Sequence, residues 1–240
     1  MASRIIRFIF LAFTFFNLNL SCNADENSLT QKIKVINEWE NRYEYIFTDE
    51  NENILFKKEL RKFYGFNEGY ATVVLMNWDY AILDENGNIS DAHFIDLGQK
   101  FSEGKNFAMF MDKTTGIIDT SGNVLFKIDI EDIGGALAAT PFFNGKALIK
   151  KSENLWFMID EKGYKIREFN IFYANAFSCG VSRIQFRSNN IRKYNYINSD
   201  GNYISSIDFD DAHDFVNSTA LVRIGNDEFY IDANGEKITK

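Results

Sequence analysis

Ile117-Ile118-Asp119-Thr120-Ser121-Gly122 decides the fold, because its pattern of two apolar residues, Asp or Asn, two variable positions and Gly recurs along the chain. The other copies are Ile82-Leu83-Asp84-Glu85-Asn86-Gly87, Met158-Ile159-Asp160-Glu161-Lys162-Gly163, Tyr196-Ile197-Asn198-Ser199-Asp200-Gly201 and Tyr230-Ile231-Asp232-Ala233-Asn234-Gly235. A degenerate first copy, Phe47-Thr48-Asp49-Glu50-Asn51-Glu52, lacks the glycine. Positions 49, 84, 119, 160, 198 and 232 are 35, 35, 41, 38 and 34 residues apart, a period that marks a repeat array.

A second motif precedes the first. It reads Phe-x-[Glu/Asn]-Gly and then small or β-branched residues, as in Phe66-Asn67-Glu68-Gly69-Tyr70-Ala71-Thr72-Val73, Phe101-Ser102-Glu103-Gly104 and Phe142-Phe143-Asn144-Gly145. Phe177-Ser178-Cys179-Gly180 and Phe215-Val216-Asn217-Ser218 complete the series. From its fourth residue to the next Asp or Asn is 15, 15, 15, 18 and 14 residues, so the two motifs travel together.

Runs such as Ala71-Thr72-Val73-Val74-Leu75 and Ala220-Leu221-Val222-Arg223-Ile224 are short, β-branched and bounded by turn formers, which predicts antiparallel strands. Asp or Asn followed three residues later by Gly predicts a type I turn in which the side chain accepts a backbone N–H and Gly takes a left-handed position. Asp84, Gly87, Asp119, Gly122, Asp160, Gly163, Asn198, Gly201, Asp232 and Gly235 are therefore the expected structural residues of the turns. The expected architecture is all-β, with about six degenerate antiparallel hairpin repeats of ~35 residues stacked as a curved open solenoid or propeller-like array. Phe94, Phe126, Phe172, Phe209 and the motif phenylalanines are expected in the core between repeats.

These residues resemble the WG-repeat family of bacterial β-repeat proteins, whose pattern runs Phe-x-Glu-Gly-x-Ala-x-Val and then Trp-Gly-Tyr-Ile-Asp-x-x-Gly. The resemblance covers about residues 30 to 240. The Trp-Gly pair itself is eroded: Trp156-Phe157 keeps the Trp, Thr115-Gly116 the Gly, and Tyr80-Ala81 and Tyr194-Asn195 an aromatic ring. The resemblance implies an exported or modular protein with no assigned chemistry.

Composition agrees with a folded, exported chain. The 240 residues are 45% hydrophobic, with 24 Phe, 15 Gly and one Pro, Pro141, which argues against disorder. A net charge of −8 argues against nucleic acid as a partner. At the start, Arg4 and Arg7 precede the apolar run Phe8 to Phe16, shorter than the ~20 residues of a spanning helix, and the polar segment from Asn23 follows. Residues 1–21 are expected to be a signal peptide, residues 22–31 a polar tether and residues 32–240 the repeat domain. Leu18-Asn19-Leu20-Ser21-Cys22 resembles a bacterial lipobox, which makes Cys22 the expected lipidation site and mature N-terminus; cleavage after Ala24 is the alternative. Loss of residues 1–21 leaves 24 basic against 34 acidic residues, or −10. Cys179 then has no intramolecular partner and is expected to be a packed thiol.

No residue set names a reaction. His93 and His213 share the wording Asp-Ala-His, which reads as repeat inheritance. Asp49 to Asn53 and Asp84 to Asn88 alternate oxygen donors but lack the Gly and terminal Glu of a calcium loop, so turn chemistry explains them. Arg183, Arg187, Arg192 and Lys193, with Phe186 and Tyr194, form a basic cluster that reads as a hairpin tip or an anion patch. The expectation is a non-catalytic binding module at the cell envelope, without cofactor or metal, whose partner is an envelope protein or glycan. Exposed Trp78 and Trp156 would supply contact area. An envelope hydrolase with paired carboxylates and a purely structural spacer are the alternatives.

Overall fold

The computed structural model of the chain describes residues 32–37, 42–128 and 138–238. The expected signal peptide, Cys22 and the tether over 22–31 lie outside the described residues. The described chain is all-β and forms six antiparallel sheets in sequence order. Sheet 1 comprises Lys32–Asn37, Tyr43–Thr48 and Ile54–Leu60; sheet 2 comprises Lys62–Asn67, Tyr70–Val74 and Tyr80–Asp84. Sheet 3 holds Asp96–Leu97, Lys105–Met109, Thr115–Asp119 and Val124–Lys127; sheet 4 holds Lys146–Ser152, Leu155–Asp160 and Lys165–Asn170. Sheet 5 is Tyr173–Ala174, Val181–Ser188 and Ile191–Asn198, and sheet 6 is Asp211–Ala212, Thr219–Ile224 and Asp227–Asp232. Within each sheet the strands pair in chain order, so every sheet is a meander.

The central strands of sheets 2 to 5 are apolar on both faces because each of these sheets is sandwiched by its neighbours. Along Ala81-Ile82-Leu83, Ala81 and Leu83 pack with Phe47 and Leu60 of sheet 1, while Ile82 turns to Phe94, Leu97 and Ile118 on the sheet 3 side. Ile117 and Ile118 divide in the same way, as do Leu148 and its neighbours Ala147 and Ile149. That is the period-2 alternation of a strand with apolar residues at both phases. Five apolar clusters result, one for each pair of consecutive sheets, and among the described residues none joins sheet 6 to sheet 1. Among the described residues the apolar clusters run as an open series.

Phe94, Phe101, Phe142, Phe209 and Phe215 are buried in these clusters. Phe126 is not: the outer strand Val124–Lys127 is exposed throughout, because a bulge between Val124 and Phe126 shifts its register at the edge of sheet 3. Phe172 is half-buried, with the Arg187 guanidinium 5.0 Å from its ring.

All six Asp/Asn turns have one geometry. In the second, the Asp84 N–H donates to the Asn88 carbonyl at 2.9 Å and the Gly87 N–H to the Asp84 carbonyl at 3.1 Å. Asp84 Oδ1 accepts the N–H groups of Asn86 and Asn88 at 2.9 and 2.7 Å. Asp49, Asp119, Asp160, Asn198 and Asp232 each accept the same i+2 and i+4 N–H groups. Each turn glycine has positive φ and faces the preceding sheet: Gly87 lies on the Phe56 ring, Gly163 near Ile128, and Gly235 under the Ile204 carbonyl.

The Phe-x-[Glu/Asn]-Gly motif is a second kind of turn. Glu68-Gly69, Glu103-Gly104, Asn144-Gly145, Cys179-Gly180 and Asn217-Ser218 all have φ > 0 at both positions, the signature of a two-residue type I′ hairpin. It also fastens one repeat to the next. The Glu68 carboxylate accepts the N–H groups of Glu103 and Gly104, both at 2.8 Å, and Glu103 accepts the N–H of Gly145 at 2.8 Å. The second residue of the motif joins in: Asn67 donates to the Phe101 carbonyl, Ser102 to that of Phe142 and Ser178 to that of Phe215. Between sheets 4 and 5 ring stacking takes this place, with Phe143 and Phe177 5.5 Å apart.

Two predictions follow from the turns. Gly104→Ala carries only the left-handed backbone penalty of about 1–2 kcal/mol, since open space surrounds the new methyl. Gly235→Ala carries the same penalty and also collides with the Ile204 backbone, so urea unfolding should rank it at least ~1 kcal/mol less stable than Gly104→Ala. The second concerns acid. Side-chain and backbone hydrogen bonds from Asn53 hold the Asp49 carboxyl below its usual range, as the Glu236 N–H does for Asp232. For Asp84 and Asp119, partial burial pushes upward but the Asn88 and Asn123 hydrogen bonds outweigh it. Depressed folded-state values give stability that is present above the unfolded carboxylate range near pH ~4 and is lost as pH falls through the folded values. Asp119→Asn should therefore flatten the acid limb of a stability profile and keep the turn, because Asn198 makes the same two bonds with an amide.

Candidate functional site

The two histidines do not occupy equivalent places, which corrects the repeat-inheritance reading. Phe94 bridges Tyr80 as Phe209 bridges Tyr194, and Asp96–Leu97 opens sheet 3 as Asp211–Ala212 opens sheet 6. His93 thus precedes the linking phenylalanine, whereas His213 follows the opening strand. His93 Nδ1 lies 3.1 Å from Asp79 Oδ2, and the His213 carbonyl accepts the buried Tyr196 hydroxyl at 2.6 Å. Among the described residues no three His, Cys, Asp or Glu side chains group as a metal site.

The basic cluster is largely spent on internal pairing. Arg183 Nε meets Asp214 Oδ1 at 2.8 Å, Lys193 Nζ meets Asp210 Oδ1 at 2.7 Å, and Arg187 lies on Phe172. Trp156 is also corrected: it sits at the centre of sheet 4, 4% exposed, with its indole N–H donating to the Phe172 carbonyl at 3.2 Å. Cys179 is disulfide-bonded rather than a packed thiol, and its partner lies outside the described residues. The sequence reading reached the thiol by setting the only other cysteine, Cys22, aside for lipid.

A shallow cleft of about 330 Å³ lies where sheets 1 and 2 meet, lined by Tyr43, Arg61, Lys62, Tyr64, Trp78 and Tyr80. Its construction is local. Sheet 1 runs into sheet 2 through the single residue Arg61, whose N–H donates to the Val74 carbonyl at 2.9 Å. A bulge between Phe63 and Phe66, with Gly65 at φ 96°, re-aims Tyr64 from the ladder. Lys62 Nζ lies 4.2 Å from the Tyr64 ring centre. Burial and a hydrogen bond with Tyr64 push the Tyr80 phenol up to about 12.

Trp78 forms the rim. It is 64% exposed, and the Arg61 guanidinium covers one ring face at 3.8 Å while Arg61 Nε donates to the Met76 carbonyl at 2.9 Å. Its backbone is strained, with φ 74° in the turn closed by Trp78 N–H to the Leu75 carbonyl. The corresponding hairpin ends elsewhere use Lys113, Asn189-Asn190 and Gly225 at positive φ. A large ring at a position suited to Gly or Asn costs stability, and here that ring points to solvent. Trp78 was visible in the sequence as an exposed aromatic; Arg61, Lys62, Tyr43, Tyr64 and Tyr80 were not, because a bulge and a sheet-to-sheet step bring them together.

With this geometry in view, comparison with known proteins gives the following. Residues 116–156 and 196–226 match the family described as WG containing repeat. No curated protein matches the chain in sequence. Among solved structures, BamB from Moraxella catarrhalis is similar at TM-score 0.47 and 10% identity, covering 87% of this chain and 86% of that one. The C-terminal WD40 domain of Sif2 gives 0.47 and 11% over 79% and 62% of the respective chains. The WD40 β-propeller domain of Doa1 gives 0.43 and 9% over 80% and 74%.

The two tryptophans should part company under mutation. Trp78→Gly removes the left-handed strain and an exposed cation–π contact of comparable size, so urea unfolding should show stability unchanged or raised. Trp156→Ala empties a buried site and should cost about 3–5 kcal/mol.

Proposed function

We propose that the protein is an exported, non-catalytic binding module of WG-repeat type, held at the bacterial cell envelope by lipid on Cys22 and facing an envelope protein or glycan. The observation that carries the binding half is the fate of the repeated carboxylates. Asp49, Asp84, Asp119, Asp160 and Asp232 each have one oxygen committed to two backbone N–H groups of their own turn. Glu68 and Glu103 are committed to the neighbouring repeat. Glycosidase chemistry needs two carboxyl groups facing one another across a cleft, one of them free to carry a proton. Here the recurring acids hold the array together. This supports reading the stacked sheets as contact surface, which is how repeat arrays present themselves to partners. The envelope half rests on the leader and lipobox-like sequence.

Both halves are open to test. A thioether on Cys22 and a disulfide between the two cysteines exclude one another, so the anchor requires that the Cys179 disulfide belong to the unprocessed chain and that the mature, lipidated protein carry a Cys179 thiol open to titration. Growth with an alkyne fatty acid should label the wild type and not Cys22→Ser, and maleimide should label Cys179 in the mature protein. An unlipidated chain whose mass shows an intact disulfide would refute the anchor. Incubation with purified envelope glycan should release no new reducing ends; release that tracks protein concentration would refute the non-catalytic reading.

A further inference from the structure

The cleft at the junction of sheets 1 and 2 differs in charge from the rest of the molecule. The chain carries 34 acidic against 26 basic residues, yet Arg61 and Lys62 stand side by side in the cleft. Among the described residues neither has a carboxylate within ion-pair distance. Lys105, Lys146, Arg183 and Lys193 are each paired with a carboxylate, while among the described residues Lys58 and Arg187 are without one as Arg61 and Lys62 are, but do not stand beside a second cation in a cleft. The Arg61 guanidinium is fixed through Nε to the Met76 carbonyl and by stacking on Trp78, so its remaining N–H groups are held in place with little ordering left to do.

The rings narrow the ligand class. An indole face presents the negative side of its quadrupole, which attracts the weakly positive C–H face of a sugar ring. A planar nucleobase gains most between two rings, but Arg61 already covers one face of Trp78 and leaves a single face for a guest. The phenols Tyr43, Tyr64 and Tyr80 line the same cleft and supply hydroxyl groups matched to a hydroxyl-rich ligand. At about 330 Å³ the cleft is at the small end of the range of about 300–1,000 Å³ for ligand sites and suits a terminal sugar or two.

We infer that this cleft binds an acidic saccharide, with one sugar ring on the open face of Trp78 and the carboxylate of the adjoining ring reaching Arg61 and Lys62 past the edge of the indole. The inference rests on the binding-module reading and supplies its ligand class. It also explains the strained Trp78 turn, since an Asn or Gly there would fold more easily and offer no platform.

Calorimetry on the full-length protein tests it, using a disaccharide that carries one hexuronate, its neutral counterpart, inorganic phosphate and a nucleoside monophosphate. The hexuronate should bind at least about tenfold more tightly than the neutral sugar, with the preference shrinking as salt is raised. Trp78→Gly, with its fold checked by urea unfolding, and Arg61→Gln should each weaken it by about tenfold or more. Equal binding of the charged and neutral sugars, unchanged binding by Trp78→Gly, or binding of phosphate or the nucleotide in place of the saccharide would overturn the assignment. Turnover of the disaccharide, followed by mass spectrometry, would instead overturn the non-catalytic reading.

Discussion

Each inner sheet of this protein has two apolar faces and cannot hide both by itself. Ala81 and Leu83 need sheet 1 while Ile82 between them needs sheet 3, and the same division runs through Ile117-Ile118 and Ala147-Leu148-Ile149. Stability is therefore a property of neighbouring pairs, as expected for a quasi-one-dimensional array. The turns answer to this constraint. The turn glycines let backbone approach the preceding sheet, and the aspartates fix the hairpin ends that set the distance between sheets. The polar links between repeats add register to an attraction that has no direction of its own.

The array was legible in the sequence because its two turn motifs are chemically demanding. Asp84 and Gly87 are required by the backbone, so the spacing of such pairs counted the sheets and located their closing strands. The roles of Glu68 and Glu103 were not legible. Their carboxylates act across a gap of 35 residues or more, and a lone Glu-Gly pair does not say which amides it will meet. Trp156 and Phe126 were placed on the wrong sides for a related reason. Periodicity cannot distinguish a central strand from an edge strand when both phases of the central strands are apolar.

The cleft was the least readable part. Its rim residue could be picked out as an exposed aromatic, but its floor depends on a bulge at Tyr64-Gly65 and on the one-residue step at Arg61. Those are departures from the repeat, and a reading built on regularity passes over departures. The same tendency made Asp91-Ala92-His93 and Asp211-Ala212-His213 look equivalent when their places in the sheets differ.

The links between repeats change character along the chain. From sheet 2 to sheet 4 they include carboxylates cradled by amides, whereas from sheet 4 to sheet 6 they are stacked rings, a serine hydroxyl on a carbonyl, Arg167 on the Gly201 carbonyl, and an Asp214 carboxylate held by Arg183 and Asn175. The junctions are therefore fastened by different groups even though the turns repeat. Moving one repeat into another's place would leave unmatched partners on both of its faces, so the sheets are not interchangeable parts.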